Sequence, residues 1–156
     1  MLSRTAEYLY WISRYMERAE TTARLLDVGY RMSLFPNPSG YNNEWESVLS
    51  AAGAIEGYKN KYDTIEQKNV EDYLFFDESN PSSVYNCILN ARNNALVVRT
   101  SFTPESWLAI NKTYQEILNL KKQKFTKSDL PDLTEWTIEQ VLSLIHISEP
   151  TRPLEI

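Results

Sequence analysis

The residues best suited to chemistry in this sequence are charged side chains near its start. Arg14 and Arg18 are four positions apart, and Glu17 lies between them. In a helix this spacing puts both guanidinium groups on one face, where like charges repel by about 0.2–0.5 kcal/mol. A guanidinium also binds carboxylate or phosphate groups in bidentate geometry. The spacing therefore predicts an acidic neighbour, which is either part of an ion-pair network between helices or a bound phosphate, carboxylate or acidic partner.

Other catalytic chemistry has few candidates in the chain. The sequence has one histidine, His146, and one cysteine, Cys87. These are too few for a zinc site built from several thiolates, and they leave a single candidate base for a Ser-His or Cys-His pair. No Glu-x-x-His motif accompanies the glutamates of the first helix, so the di-iron bundle pattern fails. The four glycines form no phosphate-binding loop. We expect no metal, no cofactor and a buried structural Cys87, and we name no catalytic residue.

Composition narrows the class of protein further. The chain has 156 residues, a net charge of −5 and 42% hydrophobic residues, enough for a packed core. An acidic balance gives no electrostatic footprint for nucleic acid. Apolar runs are shorter than the roughly 18–20 residues that span a bilayer, and charges interrupt any signal-peptide core. We therefore expect a cytoplasmic protein that binds neither nucleic acid nor membrane.

The elements that position these residues are predicted to be helices. Apolar residues of the first segment recur at steps of three and four, which is typical of one face of a long helix that begins with Ser3 as its N-cap and ends at Pro36. The residues of this face are Leu2, Leu9, Ile12, Met16, Ala19, Ala23, Leu26 and Tyr30.

Five further helices are predicted downstream, and no hairpin or βαβ pattern is found. The fold class is all-α: a helical bundle of about five or six helices with a long N-terminal helix. The predicted helices cover residues 43–58, 64–75 with Thr64 as cap, 82–98 with Ser82 or Ser83 as cap, a segment beginning at Thr103-Pro104, and one from near Leu133 to at least Val141.

The last fifteen residues differ in character from the rest. Residues 142–156 resemble the in-frame translation of a sequencing adapter, so we predict a native segment over 1–141 and a non-native tail over 142–156. A gene cut at this point would encode an incomplete domain. Apolar stripes such as Leu9/Met16/Ala23 would then lack partners, and the chain would self-associate.

Two stretches of the sequence resemble one bacterial family. Residues 1–20 and 23–28 are similar to the opening of the alpha-E family, which is named for an all-helical domain with a Glu-Arg motif, here Glu17-Arg18. The chain departs from the usual Ala-Arg-Glu-Asn-Ala-Arg pattern by having Asn93 and Leu96. The second similar stretch comprises Asn80-Pro81-Ser82-Ser83, Ala91-Arg92, Val98-Arg99, Trp107 and Asn111.

The resemblance implies a functional context rather than an activity. The family carries no established activity, and its genes lie beside, or are fused to, ATP-grasp and transglutaminase-like proteins. Its members are about twice this length, so the chain would be the N-terminal half. This context implies a helical component of a peptide-ligating or peptide-modifying system with an ATP-grasp-type partner. The anion or partner-binding residues would be Arg14, Glu17, Arg18, Arg92 and Arg99.

Three functional hypotheses stay open at the level of sequence. The first is a non-catalytic module that binds an ATP-grasp-type ligase or its peptide substrate. The second is a transferase or hydrolase that uses Glu17 with Arg14 and Arg18 on a phosphorylated or carboxylated substrate. The third is a purely architectural bundle, in which the Glu-Arg pairs only hold helices together.

Overall fold

The computed structural model describes residues 2–35, 43–123 and 130–148, and in these ranges the chain is helical without strands. The all-α fold class is confirmed, and the long N-terminal helix is its first element. One turn of 3-10 helix, Arg99–Ser101, follows the fifth helix. The helices are α1 (Leu2–Ser33), α2 (Asn43–Ala51), α3 (Ile55–Lys61), α4 (Gln67–Phe75), α5 (Val84–Val97), α6 (Pro104–Lys122) and α7 (Leu130–Ser148).

Helices α1 and α5 lie side by side and run in opposite directions. The hydroxyl of Thr22, late in α1, donates to the carbonyl of Ser82 just before α5 at 3.5 Å. At the other end, Tyr8 of α1 and Val97 of α5 line one cavity. Helix α7 packs against α1 as well, so α1 is the central helix of the fold.

Helices α5, α6 and α7 complete an antiparallel four-helix bundle with α1. Lys121, at the end of α6, lies over the ring of Tyr85 at the start of α5. Thr113 of α6 donates to the Gln140 side chain of α7 at 3.0 Å, and the indole of Trp136 donates to Glu116 at 2.7 Å. Short connections between antiparallel neighbours are typical of such bundles.

The apolar face of α1 is covered within the chain, contrary to part of the sequence prediction. Met16 is 2% exposed and Ala23 is fully buried, because α5 and α7 pack on that face. The prediction that the Leu9/Met16/Ala23 stripe lacks partners is therefore wrong for two of its three members, and only Leu9 is exposed, at 36%. The most exposed large apolar side chain is instead Phe35, at 73% among the described residues. Self-association stays a prediction.

The predicted second helix is in fact two helices separated at Gly53. Gly53 has φ of 67°, a left-handed conformation that glycine adopts without a Cβ penalty. Its N–H donates to the Ser50 carbonyl, and the Ala54 N–H donates to the Leu49 carbonyl, which is the Schellman pattern of a helix end. The prediction of one helix over 43–58 was wrong because this motif terminates α2.

Two predicted helix caps are confirmed, and two, Thr64 and Ser3, are wrong. The Thr103 hydroxyl accepts from the Ser106 N–H at 3.2 Å, and the Ser83 hydroxyl accepts from the Asn86 N–H at 3.1 Å. Thr64 caps nothing, since α4 begins after Glu66. The reason lies in Tyr58.

The hydroxyl of Tyr58 fixes the segment that was expected to open α4. It donates to the Thr64 carbonyl at 2.6 Å and accepts from the Glu66 N–H at 3.3 Å. These two bonds hold residues 64–66 outside the helix, so the first helical turn forms at Gln67.

The start of α1 and both ends of α7 differ by a few residues from the sequence prediction. Ser3 lies inside α1, which begins at Leu2, so it is not the N-cap. Helix α7 begins at Leu130, three residues before the predicted start, and continues to Ser148. Leu144 is buried in the bundle, whereas residues 149–156 and Pro36 lie outside the described residues. The boundary between a native segment and a tail at residue 141 stays a prediction.

Candidate functional site

Arg14 and Glu17 form a weak pair on the open surface of α1. Their closest atoms, Nη1 and Oε2, are 3.5 Å apart, and both side chains are about half exposed, at 50% and 57%. Further along α1, Arg24 pairs with Glu20 at 2.8 Å. Exposed pairs of this kind are worth at most about 1 kcal/mol. Arg14 therefore has an acidic neighbour on its own helix, and this pair contributes little to the stability of the fold.

Arg18 is half-buried near α5, whereas its sequence neighbour Glu17 is exposed. Its guanidinium carbon is 6.0 Å from the centroid of the Tyr15 ring. Its charge also acts on Cys87 of α5, lowering a thiol pKa that burial raises. Within the described part of the chain, no carboxylate pairs with Arg18.

Three aromatic side chains, Tyr10, Trp11 and Tyr15, form a stripe along α1 that leads to Arg18. Trp11, Tyr15 and Arg18 follow one another at helical spacing, and the rings of Trp11 and Tyr15 are 5.9 Å apart. Tyr10 meets Trp11 edge-on at 5.5 Å. Both Tyr10 and Trp11 are exposed, whereas Tyr15 packs partly against the core. The structure thus places an exposed aromatic surface next to a half-buried cation.

Arg92 lies in a second place, between α5 and α6. Its guanidinium carbon is 5.1 Å from the Tyr114 ring centroid and 6.0 Å from that of Trp107. The side chain is half-buried, and no ion pair among residues 2–35, 43–123 and 130–148 includes it. Its Nε atom is buried without a hydrogen-bond partner.

Arg99 occupies a third place, at the end of the bundle. It is exposed in the 3-10 turn after α5. The preceding Val98 lines a cavity of about 510 Å³ between the start of α1 and the end of α5, to which Arg4 and Tyr8 also contribute. The five predicted site residues are therefore found at three positions: the α1 surface, the α5–α6 interface and the bundle end.

Cys87 is a structural cysteine, as the sequence predicts. It is fully buried and unpaired. Burial raises the pKa of its thiol to about 11, so the thiolate that a nucleophile needs is scarce at neutral pH. Among the described residues, no group of three or more His, Cys, Asp or Glu side chains could hold a metal ion.

Sequence reasoning missed a polar cluster between α3 and the turn after α4. The ammonium of Lys61 pairs with Asp77, whose side chain is 7% exposed. Asp77 also accepts from the N–H of Ser79 at 2.8 Å. The Lys61 ammonium lies 5.8 Å from the centroid of the Tyr62 ring, which in turn packs with the rings of Tyr58 and Tyr73. The one local sign of this cluster in the sequence is Asp77 in a turn segment. Its pairing with Lys61, sixteen positions earlier, cannot be predicted from sequence spacing.

The fold and its charged residues define a class: an all-helical bundle whose longest helix carries an adjacent glutamate and arginine, Glu17-Arg18. A family model described as a predicted alpha-helical domain with a conserved ER motif, Alpha-E, matches residues 1–150. The chain belongs to the Alpha-E family. Comparisons with curated proteins and with solved structures found no match. No helix in the described ranges is long and apolar enough to cross a membrane.

Proposed function

We propose that this chain is a non-catalytic helical module of a bacterial peptide-ligating or peptide-modifying system. It acts in the cytoplasm by binding an ATP-grasp-type partner or the peptide which that partner modifies. The observation that carries the proposal is the state of Arg18 and Arg92. Both are half-buried, and neither has a carboxylate partner in the described ranges.

The contrast with three exposed arginines of α1 supports a binding role. Arg14, Arg24 and Arg31 are exposed, and each has an acidic residue three or four positions away. Water already solvates these cations, so their pairs matter little. A half-buried cation is the one that needs a counter-charge, because burial removes its hydration. Among the described residues, the acidic partners on α1 thus belong to exposed arginines.

The chain has enough acidic residues to have paired Arg18 and Arg92. It carries 21 Asp and Glu against 16 Lys and Arg. A carboxylate or phosphate from a partner would give each guanidinium the counter-charge that it lacks among the described residues. Peptide substrates of amide ligases supply carboxylates, which fits the family context.

The aromatic stripe next to Arg18 has the composition of a protein-binding surface. Tryptophan, tyrosine and arginine are the residues that dominate interface energetics. Tyr10 and Trp11 are exposed and Arg18 lies two turns further along α1. An ATP-grasp-type ligase would contact this stripe, while a transglutaminase-like protein is a second candidate from the same gene context.

Co-purification tests the proposal directly. The chain is immobilised and incubated with the purified ATP-grasp-type protein encoded beside an Alpha-E gene, and an unrelated ATP-grasp ligase serves as control. We expect retention of the neighbouring protein alone, and retention should weaken as salt rises because charged groups contribute. Equal retention of both ligases, or of neither, would count against the proposal.

A further inference from the structure

A cavity of about 510 Å³ lies at one end of the bundle, where the start of α1 meets the end of α5. Pockets that bind small ligands have volumes of about 300–1,000 Å³, so this one has room for an organic ligand. The described residues that line it come from both helices and are Ser3, Arg4, Thr5, Tyr8, Val97 and Val98.

The antiparallel packing of α1 against α5 brings two kinds of surface to this cavity. On α1, Tyr8 follows Arg4 by four residues and Thr5 by three, so the three residues share one side of the helix. On α5, Val98 is the C-terminal cap residue and is 5% exposed, whereas Val97 is 62% exposed. The cavity therefore has a polar wall from α1 and an apolar wall from α5.

The charge of the cavity comes from Arg4. None of the described residues that line it is acidic, although the chain has 21 Asp and Glu against 16 Lys and Arg. Arg4 is exposed and belongs to no ion pair between described residues. Hydroxyl groups on the same wall can donate to an anion. The polar wall thus favours a negatively charged ligand.

We propose that this cavity binds a carboxylate attached to an apolar group, namely the C-terminal residue of a peptide. The carboxylate pairs with the guanidinium of Arg4 and accepts from the neighbouring hydroxyl groups. The apolar side chain of the ligand packs against Val97 and Val98. That the carboxylate belongs to a peptide rests on the proposed function, in which the chain binds the peptide that its partner modifies.

Volume and chemistry favour this ligand over simpler ones. A water molecule takes about 30 Å³ of the liquid, so an inorganic ion of a few atoms would leave most of the cavity to solvent. Phosphate would pair with Arg4 but leave the two valines without a contact. An ammonium group would be repelled by Arg4. A carboxylate on an apolar body matches both walls.

Nuclear magnetic resonance of the whole chain tests this assignment. The methyl groups of Val97 and Val98 are followed during titration with N-acetylglycylvaline, which has a free carboxylate, and with its C-terminal carboxamide. N-acetylglycylglycine, isovalerate and inorganic phosphate are the further probes. We expect saturable shifts with the valine peptide and at least about tenfold weaker binding of its carboxamide. The other three probes should bind at least about threefold more weakly than the valine peptide.

Each probe has an outcome that would overturn the proposal. Equal binding of the acid and the carboxamide would show that the charge is not recognised. Equal binding of the glycine peptide would show that the valines contribute nothing, and equal binding of phosphate would reduce the cavity to a general anion site. If isovalerate binds as tightly as the valine peptide, the ligand is a free acid and not a peptide.

A pair of variants tests the role of Arg4. Arg4→Gln removes the cation of the cavity, and the matched control Arg31→Gln removes an exposed arginine in the last turn of the same helix. Binding of the valine peptide should weaken at least about tenfold in the first variant and change within about twofold in the second. Circular dichroism should be unchanged in both. Unchanged affinity of Arg4→Gln would refute the assignment.

The outcome is also distinguishable from failure of the proposed function. If the valine peptide binds but no ATP-grasp-type protein is retained, the cavity assignment is correct and the partnership is wrong. If the partner is retained but the methyl signals of Val97 and Val98 do not move with any probe, the partnership stands and the cavity assignment is wrong.

Discussion

The guanidinium carbon of Arg92 lies 5.1 Å from the centroid of the Tyr114 ring, so an aromatic side chain of α6 holds the cation of α5. Cation–π contacts of this kind contribute about 0.5–2 kcal/mol. The buried Nε without a partner costs about 1–3 kcal/mol in the other direction. The net contribution of Arg92 to the free energy of unfolding is thus close to zero.

The first prediction follows from that balance. Arg92→Met keeps the apolar stem and removes both the charge and the unpaired donor. We expect its free energy of unfolding to equal that of the parent or to exceed it by about 1 kcal/mol. Chemical denaturation measures it, with Arg24→Met as a control on an exposed pair. A loss above about 2 kcal/mol would favour the architectural hypothesis, in which Arg92 holds the helices together.

The second prediction concerns Gly57, whose backbone lies directly against the hydroxyl of Tyr73. A Cβ at residue 57 would collide with that oxygen. Gly57→Ala should therefore destabilise the protein by about 1–3 kcal/mol. Removing the hydroxyl by Tyr73→Phe relieves the collision, because the next ring atom is 3.4 Å from the added carbon.

A double-mutant cycle with these two substitutions provides the measurement. Tyr73→Phe should recover most of the loss caused by Gly57→Ala, which appears as a coupling free energy above about 0.5 kcal/mol. Gly53→Ala is the control: its loss comes from a left-handed backbone in open space, so Tyr73→Phe should not rescue it. Additive effects of Gly57→Ala and Tyr73→Phe would show that the contact is wrong.

The third prediction concerns pH and the Lys61–Asp77 pair. Burial alone would raise the pKa of Asp77, but hydrogen bonds from Lys61 and Ser79 lower it below its usual value. A carboxyl group with a lowered folded-state pKa stabilises the fold above its unfolded pKa, and the contribution is lost as the pH falls through the folded value. This stability should therefore be present above about pH 4 and decline below it.

Asp77→Asn isolates the charge, because the amide oxygen can still accept from Ser79. At neutral pH the variant should be less stable by about 1 kcal/mol, and the difference should shrink as the pH falls below about 4. Unfolding curves across this range give the comparison, with exposed Asp63→Asn as control. A difference that stays constant down to low pH would show that the charge of Asp77 contributes nothing.

The fourth prediction concerns the reactivity of Cys87. Burial raises its thiol pKa to about 11 and excludes reagents as well. Modification by a disulfide reagent at mildly alkaline pH should therefore proceed at the rate of unfolding and accelerate in denaturant. Fast labelling of the folded protein, at the rate of an exposed model thiol, would contradict the placement of Cys87 between α5 and α1.

The sequence predicted those parts of the structure that depend on neighbours in the chain. Thr103 and Ser83 cap helices because each needs only the N–H three residues later. Cys87 is buried because it falls on the apolar face of its own helix. The Arg14–Glu17 pair likewise follows from spacing alone.

Features set by distant residues were not predictable in this way. Thr64 fails as a cap because the hydroxyl of Tyr58 holds its segment away from the helix. Met16 is buried because two later helices cover it. The site behaves similarly: the contact of Arg92 with the Tyr114 ring exists only once α5 and α6 have packed.

The fifth prediction concerns Arg18 and Arg92, the half-buried arginines that are proposed to bind a partner. The dissociation constant for the neighbouring ATP-grasp-type protein is measured with Arg18→Gln/Arg92→Gln and with the control Arg24→Gln/Arg31→Gln, which removes the same charge from exposed, paired positions. We expect at least about tenfold weaker binding for the first variant and a change within about twofold for the control. Equal losses for both variants, or no loss for the first, would contradict the proposal.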